Sequence, residues 1–424
     1  MGDQISAFVL IGTQALVPIV LGSFKSLRTP LVTRRRQKKA RTSRDRLLGL
    51  DEDEDDEDDE PEDDETLGLG DSLLFPVLGS AALLGLFLII KYVDKKWIDL
   101  AFGVYFSLTG VFAVHTTLTS IVGFFLRLFK KSVPVYHVRI SNGIKQIFHL
   151  PVRAHSAIIA PISVVAPAAY VPLGRPWVLS NVLALCLATA ALALLKLDGF
   201  PTAFLLLGLL LAYDVFWVFY TPVMVTVAKG IEGPIKLVAP KDSTGKAFAM
   251  LGLGDVVIPG LLIALCLRFD LARYAARNKD KDITRHSSFP KPYFLTALFS
   301  WIAGLVATIY AMSISGKAQP ALLYLSPACT LGPVLLALAR GELALLWSWR
   351  EEEKDEAERD ETIEAPSEVA MLARKEAKAA AAAAEAEAED EAKPEPEAPV
   401  DDSWMESTTD DAPKPRKRKG GKKK

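Results

Sequence analysis

Nine runs of roughly twenty residues, each nearly free of charge, restrict this chain more than any other feature of its sequence. A helix rising ~1.5 Å per residue needs about that length to cross ~30 Å of hydrocarbon, so such runs predict membrane spans. They lie at roughly 5–24, 72–91, 98–125, 155–173, 177–196, 199–221, 246–267, 292–314 and 319–340. Of 424 residues, 50% are hydrophobic and 24% are charged, which one chain accommodates only by segregating the charges into a loop and a tail. The net charge of −2 therefore says little, and the local blocks say more. The fold class that follows is all-α: a polytopic membrane protein with about nine transmembrane helices.

The organisation expected is a first helix at 1–24, a charged cytosolic loop at 25–71, helices two to five at 72–196, helices six to nine at 197–345, and a charged tail at 346–424. Pro161, Pro167 and Pro172 interrupt the fourth span, which predicts a helix packed inside the bundle or distorted. The first span lacks the basic start of a cleavable signal peptide and is followed by Arg34, Arg35, Arg36, Lys38, Lys39 and Arg41. Positive charge stays cytoplasmic, so the N-terminus is predicted lumenal and, with nine spans, the C-terminus cytosolic. The basic loops at 127–153 and 268–285 agree, while the one from Lys229 to Lys246 runs against the rule. Asp51 to Glu65 is an acidic run, expected to be solvated. The basic end from Lys414 to Lys424 suits anionic lipid or retention and implies no specific nucleic acid. Cys186, Cys266 and Cys329 fall within spans, without the spacing of a disulfide framework or a zinc site, and read as small apolar fillers. His115 and His137 also lack ligand spacing.

Asp214 and Asp255 lie inside two consecutive apolar runs. A carboxylate at the centre of a spanning helix costs at least ~2.5–3.5 kcal/mol, so such residues mark functional sites by default. If the sixth and seventh spans are antiparallel, both acids lie a few turns from the lumenal ends and face each other. Two facing carboxyls in a low dielectric share one proton. That pair can activate water: the ionised member takes its proton while the other donates to a carbonyl oxygen. Water is then the nucleophile, and no cofactor or metal is expected. Gly252 and Gly254 remove side chains just before Asp255, so a substrate backbone can approach closely. Tyr213 adjoins Asp214 and is placed to orient a carbonyl or to pack. Pro320, without an N–H, suits a helix start or a kink, and Ala321 permits close backbone contact.

The stretches YDVFWVF (213–219), VMVTVAK (223–229), PIKLV (234–238), FAMLGLGDVVIPG (248–260) and QPALLYL (319–325) carry a resemblance. Together they resemble the presenilin-type intramembrane aspartyl protease group, and within it the signal peptide peptidase family, over roughly residues 70–345. The resemblance implies a presenilin-like bundle in which Asp214 and Asp255 are catalytic. Tyr213, Gly252, Leu253, Gly254, Pro320, Ala321 and Leu322 then support the active site. It implies cleavage within membrane-spanning segments of type II orientation, including signal peptides left by signal peptidase, in the endoplasmic reticulum membrane. The short N-terminal segment also fits that family better than its longer, glycosylated relatives, and no Asn-X-Ser/Thr site is present. The acidic loop and the Ala/Glu/Lys tail depart from the family pattern, and Gly420 and Gly421 beside Lys422 depart from its dilysine retrieval signal.

The partners implied are helical membrane peptides and the lipid bilayer, with quality-control partners and a second copy of the chain left open. A helical substrate hides its carbonyls in its own hydrogen bonds and has to unwind before water attacks. Ile235 to Val238, β-prone and beside Pro234, is expected to pair with the unwound stretch. Two other functions use the same acids: an ion or proton transporter, against which no inverted repeat is visible, and a quality-control protein that binds membrane helices without cutting them.

Overall fold

A computed structural model describes residues 2–30, 33, 65–129, 135–142, 145–231, 233–241, 248–278, 281, 283–315 and 319–351. The acidic run 51–64 and the tail beyond 351, with the basic end, lie outside the described residues. The chain is mostly helical. Its helices are α1 (Gly2–Lys25), α2 (Leu69–Tyr92), α3 (Lys95–Leu128), α4 (Ala154–Tyr170), α5 (Trp177–Leu194) and α6 (Phe200–Phe219). They continue with α7 (Val223–Gly230), α8 (Gly254–Arg277), α9 (Pro292–Ser315), α10 (Leu322–Arg340) and α11 (Leu343–Ser348). Seven of these are long and apolar enough to cross a membrane: α1, α2, α3, α5, α6, α9 and α10. The other two expected spans correspond to α4, which is shorter, and α8, which carries charge.

The helix α4 departs from expectation. It is a continuous helix of 17 residues with Pro161 and Pro167 inside it. Only the stripe Ile159, Ser163, Pro167 and Tyr170 is buried, while Ile158, Ile162 and Val165 are exposed. It therefore lies against α3 by one face, with the Ser107 hydroxyl donating to the Pro167 carbonyl at 3.1 Å. His115 of α3 sits between Ser156 Oγ (3.0 Å from Nε2) and Ser163 Oγ (3.4 Å from Nδ1), a packed polar contact at this seam.

The centre of the bundle is α8. Every residue from Pro259 to Leu271 is buried, and Leu262 through Leu267 have no exposure at all. A helix enclosed by protein on all sides need not satisfy lipid, so it can carry polar groups provided that each is paired. At its far end the Arg268 Nε lies 2.8 Å from Glu351 Oε2, and its Nη1 donates to Ser26 Oγ at 3.3 Å. Asp270 accepts from the Phe294 N–H at 3.0 Å. Arg273 and Tyr293 both bond Glu342.

Residues 342–351 thus form a strap that ties α8 to the start of α6. The Glu351 N–H donates to the Asp198 carbonyl at 2.7 Å, and Trp349 packs on Phe200 and Phe269 at ring distances of 6.0 and 5.4 Å. Nearby, β1 (Glu65–Leu67) pairs in parallel with β4 (Leu195–Leu197). Both described ends of the charged segments, 65–71 and 346–351, are therefore built into the bundle. Two antiparallel pairs complete the sheet content among the described residues: β2 (Val135–Asn142) with β3 (Lys145–Arg153), and β5 (Lys236–Pro240) with β6 (Phe248–Gly252).

Helices in lipid gain little from hiding apolar surface, so close backbone approach and hydrogen bonds hold them together. Leu192 of α5 occupies a notch between Gly22 of α1 and Gly260 of α8. A Cβ added at Gly260 meets Leu192 Cδ2 at 2.9 Å, and one at Gly22 meets Leu192 Cβ at 2.5 Å. Gly260→Val is expected to cost about 1–3 kcal/mol of stability by overpacking. Gly85→Val, where an added Cβ meets nothing within 4 Å, is the matched control. Thermal unfolding in detergent checks this: the α8 variant melts several degrees lower, and the α2 variant melts with the unmodified protein.

Candidate active site

The approach to Asp255 differs from the sequence expectation in its local structure. The apolar stretch 246–267 reads as one helix, yet Phe248–Gly252 is a strand and α8 begins only at Gly254. Burial alternates along β6, with Ala249 and Leu251 inside and Phe248, Met250 and Gly252 outside, the period of a strand. Short apolar runs cannot be assigned to helix or strand by hydropathy, and Gly252 with Gly254 disfavours helical continuation. Asp255 consequently sits in the first turn of its helix rather than turns within it. The hairpin reaches almost to the carboxyl, because the Leu253 N–H donates to the Ile235 carbonyl at 3.0 Å.

Asp214 lies in the last two turns of α6, at 5% exposure. Phe200 at the start of α6 touches Phe269 near the end of α8, at 5.2 Å between rings, so the two helices run antiparallel. Their opposite ends bring the two acids to one end of the bundle, near enough for the charge of one to act on the other. Asp214 is buried, whereas Asp255 is partly exposed.

Three groups hold this pair. The Leu322 backbone amide lies beside the Asp214 carboxyl. Leu322 is the first residue of α10, Ala321 is its cap, and the first amides of a helix have no acceptor within it. Pro320 is buried just before that turn and presents no N–H to compete. On α9, the buried Trp301 indole donates to the Asp255 backbone carbonyl at 3.4 Å. From the hairpin, Gly252 lies alongside, where an added Cβ would stand in van der Waals contact with Asp255 Oδ2, at 3.4 Å, and any larger side chain would press on it. Gly254 is different: a Cβ there meets only Ile258 Cδ1, at 3.9 Å, so its neighbourhood is open.

Tyr213 does not point its hydroxyl at a carboxyl partner. It donates to the Gly79 carbonyl of α2 at 3.4 Å, and Trp217 one turn on donates to Ser80 Oγ at 3.3 Å. Both anchor α6 to α2. Ser326 of α10 likewise donates to the Leu207 carbonyl of α6 at 3.0 Å. Trp301, Ser80 and Ser326 escape sequence reasoning, because nothing in their own neighbourhood marks them. The three cysteines are free and buried, as their place in apolar spans implies.

The chain matches the family model described as signal peptide peptidase across residues 59–353, which includes all of these groups. It is 38% identical over 326 residues to the signal peptide peptidase of Mus musculus, covering 74% of this chain and 82% of that one. The human signal peptide peptidase is 39% identical over the same shares of the two chains. A probable intramembrane protease of Schizosaccharomyces pombe is 36% identical over 287 residues, 68% of this chain and 85% of that one.

Proximity of the two acids is checked without any assay of turnover. Asp214→Cys combined with Asp255→Cys is expected to cross-link with a short bifunctional thiol reagent, whereas either single variant is not. Mass spectrometry of the digest identifies the joined peptides, and their absence would place the two positions apart.

Proposed function

The chain belongs to the signal peptide peptidase family of intramembrane proteases, and on that footing we propose that Asp214 and Asp255 are its water-activating pair. The observation that carries this reading is the convergence of two acids, one from each of two antiparallel helices, at one end of the bundle beside a glycine-flanked backbone. The substrates proposed are membrane-spanning segments, such as signal peptides left after signal peptidase and type II membrane proteins. The proposed setting is the endoplasmic reticulum membrane, with the strap end of α6 and α8 on the cytosolic side and the N-terminus lumenal.

The chemistry follows from the pair sharing one proton. The ionised carboxyl takes a proton from water as the oxygen attacks the peptide carbonyl carbon. The protonated carboxyl donates to the carbonyl oxygen, giving a neutral tetrahedral diol. Collapse reverses the second transfer: one diol hydroxyl returns its proton to the carboxylate that donated it and the carbonyl re-forms, while the carboxyl that took the water proton gives it to the nitrogen as the C–N bond breaks, and the amine leaves. Leu322 and Trp301 act on the scaffold of this exchange by fixing where each aspartate stands.

A segment in extended form exposes the carbonyl that a helix hides. The strand expected to receive it, Ile235 to Val238, is already committed: Leu237 and Ala239 face β6, and Val238 turns its polar groups away from it. Antiparallel pairing alternates, so Met250, opposite Val238, also turns its N–H and C=O outward, along the edge of β6. That edge leads to Gly252 and Asp255, and its Met250 side chain is 56% exposed. Strand addition therefore uses β6.

The test is reconstitution with a labelled signal peptide in vesicles. Asp214→Asn and Asp255→Asn each remove one partner of the shared proton, and each is expected to abolish cleavage while retaining peptide binding. Equal turnover in all three proteins would discard the reading. Gly252→Val should lower turnover about 100-fold without lowering the melting temperature, since a displacement of ~1 Å at a reacting centre costs that much.

A further inference from the structure

An amide side chain buried in a membrane helix is costly unless all its hydrogen-bonding groups are used. Asn181 of α5 is such a residue, at 2% exposure. Its Nδ2 donates to the Val238 carbonyl at 2.7 Å and to Gln14 Oε1 of α1 at 3.1 Å. Its Oδ1 accepts from the Val238 N–H at 3.0 Å. The orientation of the amide is dictated by chemistry, because the Val238 N–H can only donate and its carbonyl can only accept.

This is the pairing that one strand residue offers another, supplied by a side chain. Val238 is the residue at the middle of β5 whose polar groups face away from β6. Asn181 therefore closes the outer edge of β5, and the sheet has two strands. One edge remains beside Asp255. The hairpin is also tied to α5 and α1 through this contact, with Leu237 and Ala239 buried beneath it.

We propose that Asn181, backed by Gln14, is a positioning residue that restricts an incoming extended segment to the β6 edge and sets its register against the aspartates. This inference rests on the protease reading above and adds to it what decides which peptide bond is cut. Asn181 acts through the backbone: Val238 positions β5, β5 positions β6, and β6 leads through Leu253 into Asp255. A slip of two residues, the smallest that keeps side chains on their faces, moves the substrate by about 6.6 Å. Loosening the hairpin should therefore change where cleavage falls, beyond how often it occurs.

The experiment uses the full chain in vesicles with a synthetic signal peptide, reading product masses beside kcat and KM. Asn181→Leu keeps the size of the side chain and removes all three bonds. Losing a net one to two kcal/mol of restraint corresponds to about a 5- to 30-fold rise in the ratio of secondary to main products. Gly103→Val, where an added Cβ on α3 meets Val171 Cγ2 at 3.0 Å, strains the bundle without touching α1, α5 or α8 and is expected to lower total cleavage with product masses unchanged. Should Asn181→Leu fail to fold, Gln14→Leu removes only the outer support and is expected to shift the ratio in the same direction by a smaller factor. An unchanged product pattern in the folded Asn181→Leu protein, or in Gln14→Leu where that one is needed, overturns the proposal. Cleavage surviving in Asp214→Asn would instead overturn the catalytic reading, which keeps the two failures distinct.

Discussion

Carboxyl groups have no place in hydrocarbon unless protein surrounds them, and the rest of this bundle is arranged around meeting that condition for two of them. Asp214 is taken out of lipid by α2 and α10, with the first turn of α10 beside its carboxyl. Asp255 stands at the first turn of α8, the most enclosed helix of the described chain. Helix starts suit this task, since their leading amides seek acceptors and their dipoles favour negative charge. Two helix starts and one late helical turn are thus brought to one point. The same geometry leaves Asp255 partly exposed, so the pair is held by protein without being fully enclosed by it.

The distant end of α6 and α8 is tied as firmly as the end that carries the aspartates. There the strap at 342–351 spends Glu342 and Glu351 on Arg273 and Arg268, and seats Trp349 against both helices. Antiparallel helices fixed at one end have little freedom to splay at the other. Breaking either buried ion pair would leave one charge unpaired in a low dielectric, a loss that exceeds the value of the pair itself. Between the two ends, Leu192 in its glycine notch locks α1, α5 and α8 at close approach. Register along α6 and α8 is therefore set by groups that never approach the aspartates.

Much of this was legible in the sequence because lipid imposes a crude and reliable filter. Apolar runs located the helices, and the cost of intramembrane charge singled out Asp214 and Asp255. What hydropathy does not carry is backbone form: Phe248 to Gly252 is apolar enough to pass for helix and is a strand. Nor does it record which residue turns inward. Asn181 and Trp301 are ordinary members of apolar runs until the bundle places them against Val238 and Asp255. Arg268 to Arg277 read as charge marking a cytosolic loop, yet they belong to the last turns of α8, where partners distant in sequence neutralise them. Local composition cannot anticipate pairing across 83 positions, as between Arg268 and Glu351.

The central claim is that both carboxyls reach a single peptide bond. A structure of the protein with a peptide bearing a hydroxyl-containing mimic of the tetrahedral diol tests it most directly. The account predicts that the mimic's hydroxyl lies between Asp214 and Asp255, within hydrogen-bond reach of both, with the flanking peptide extended along the β6 edge. A hydroxyl bound by one aspartate alone, or a peptide that stays helical at the site, would contradict it.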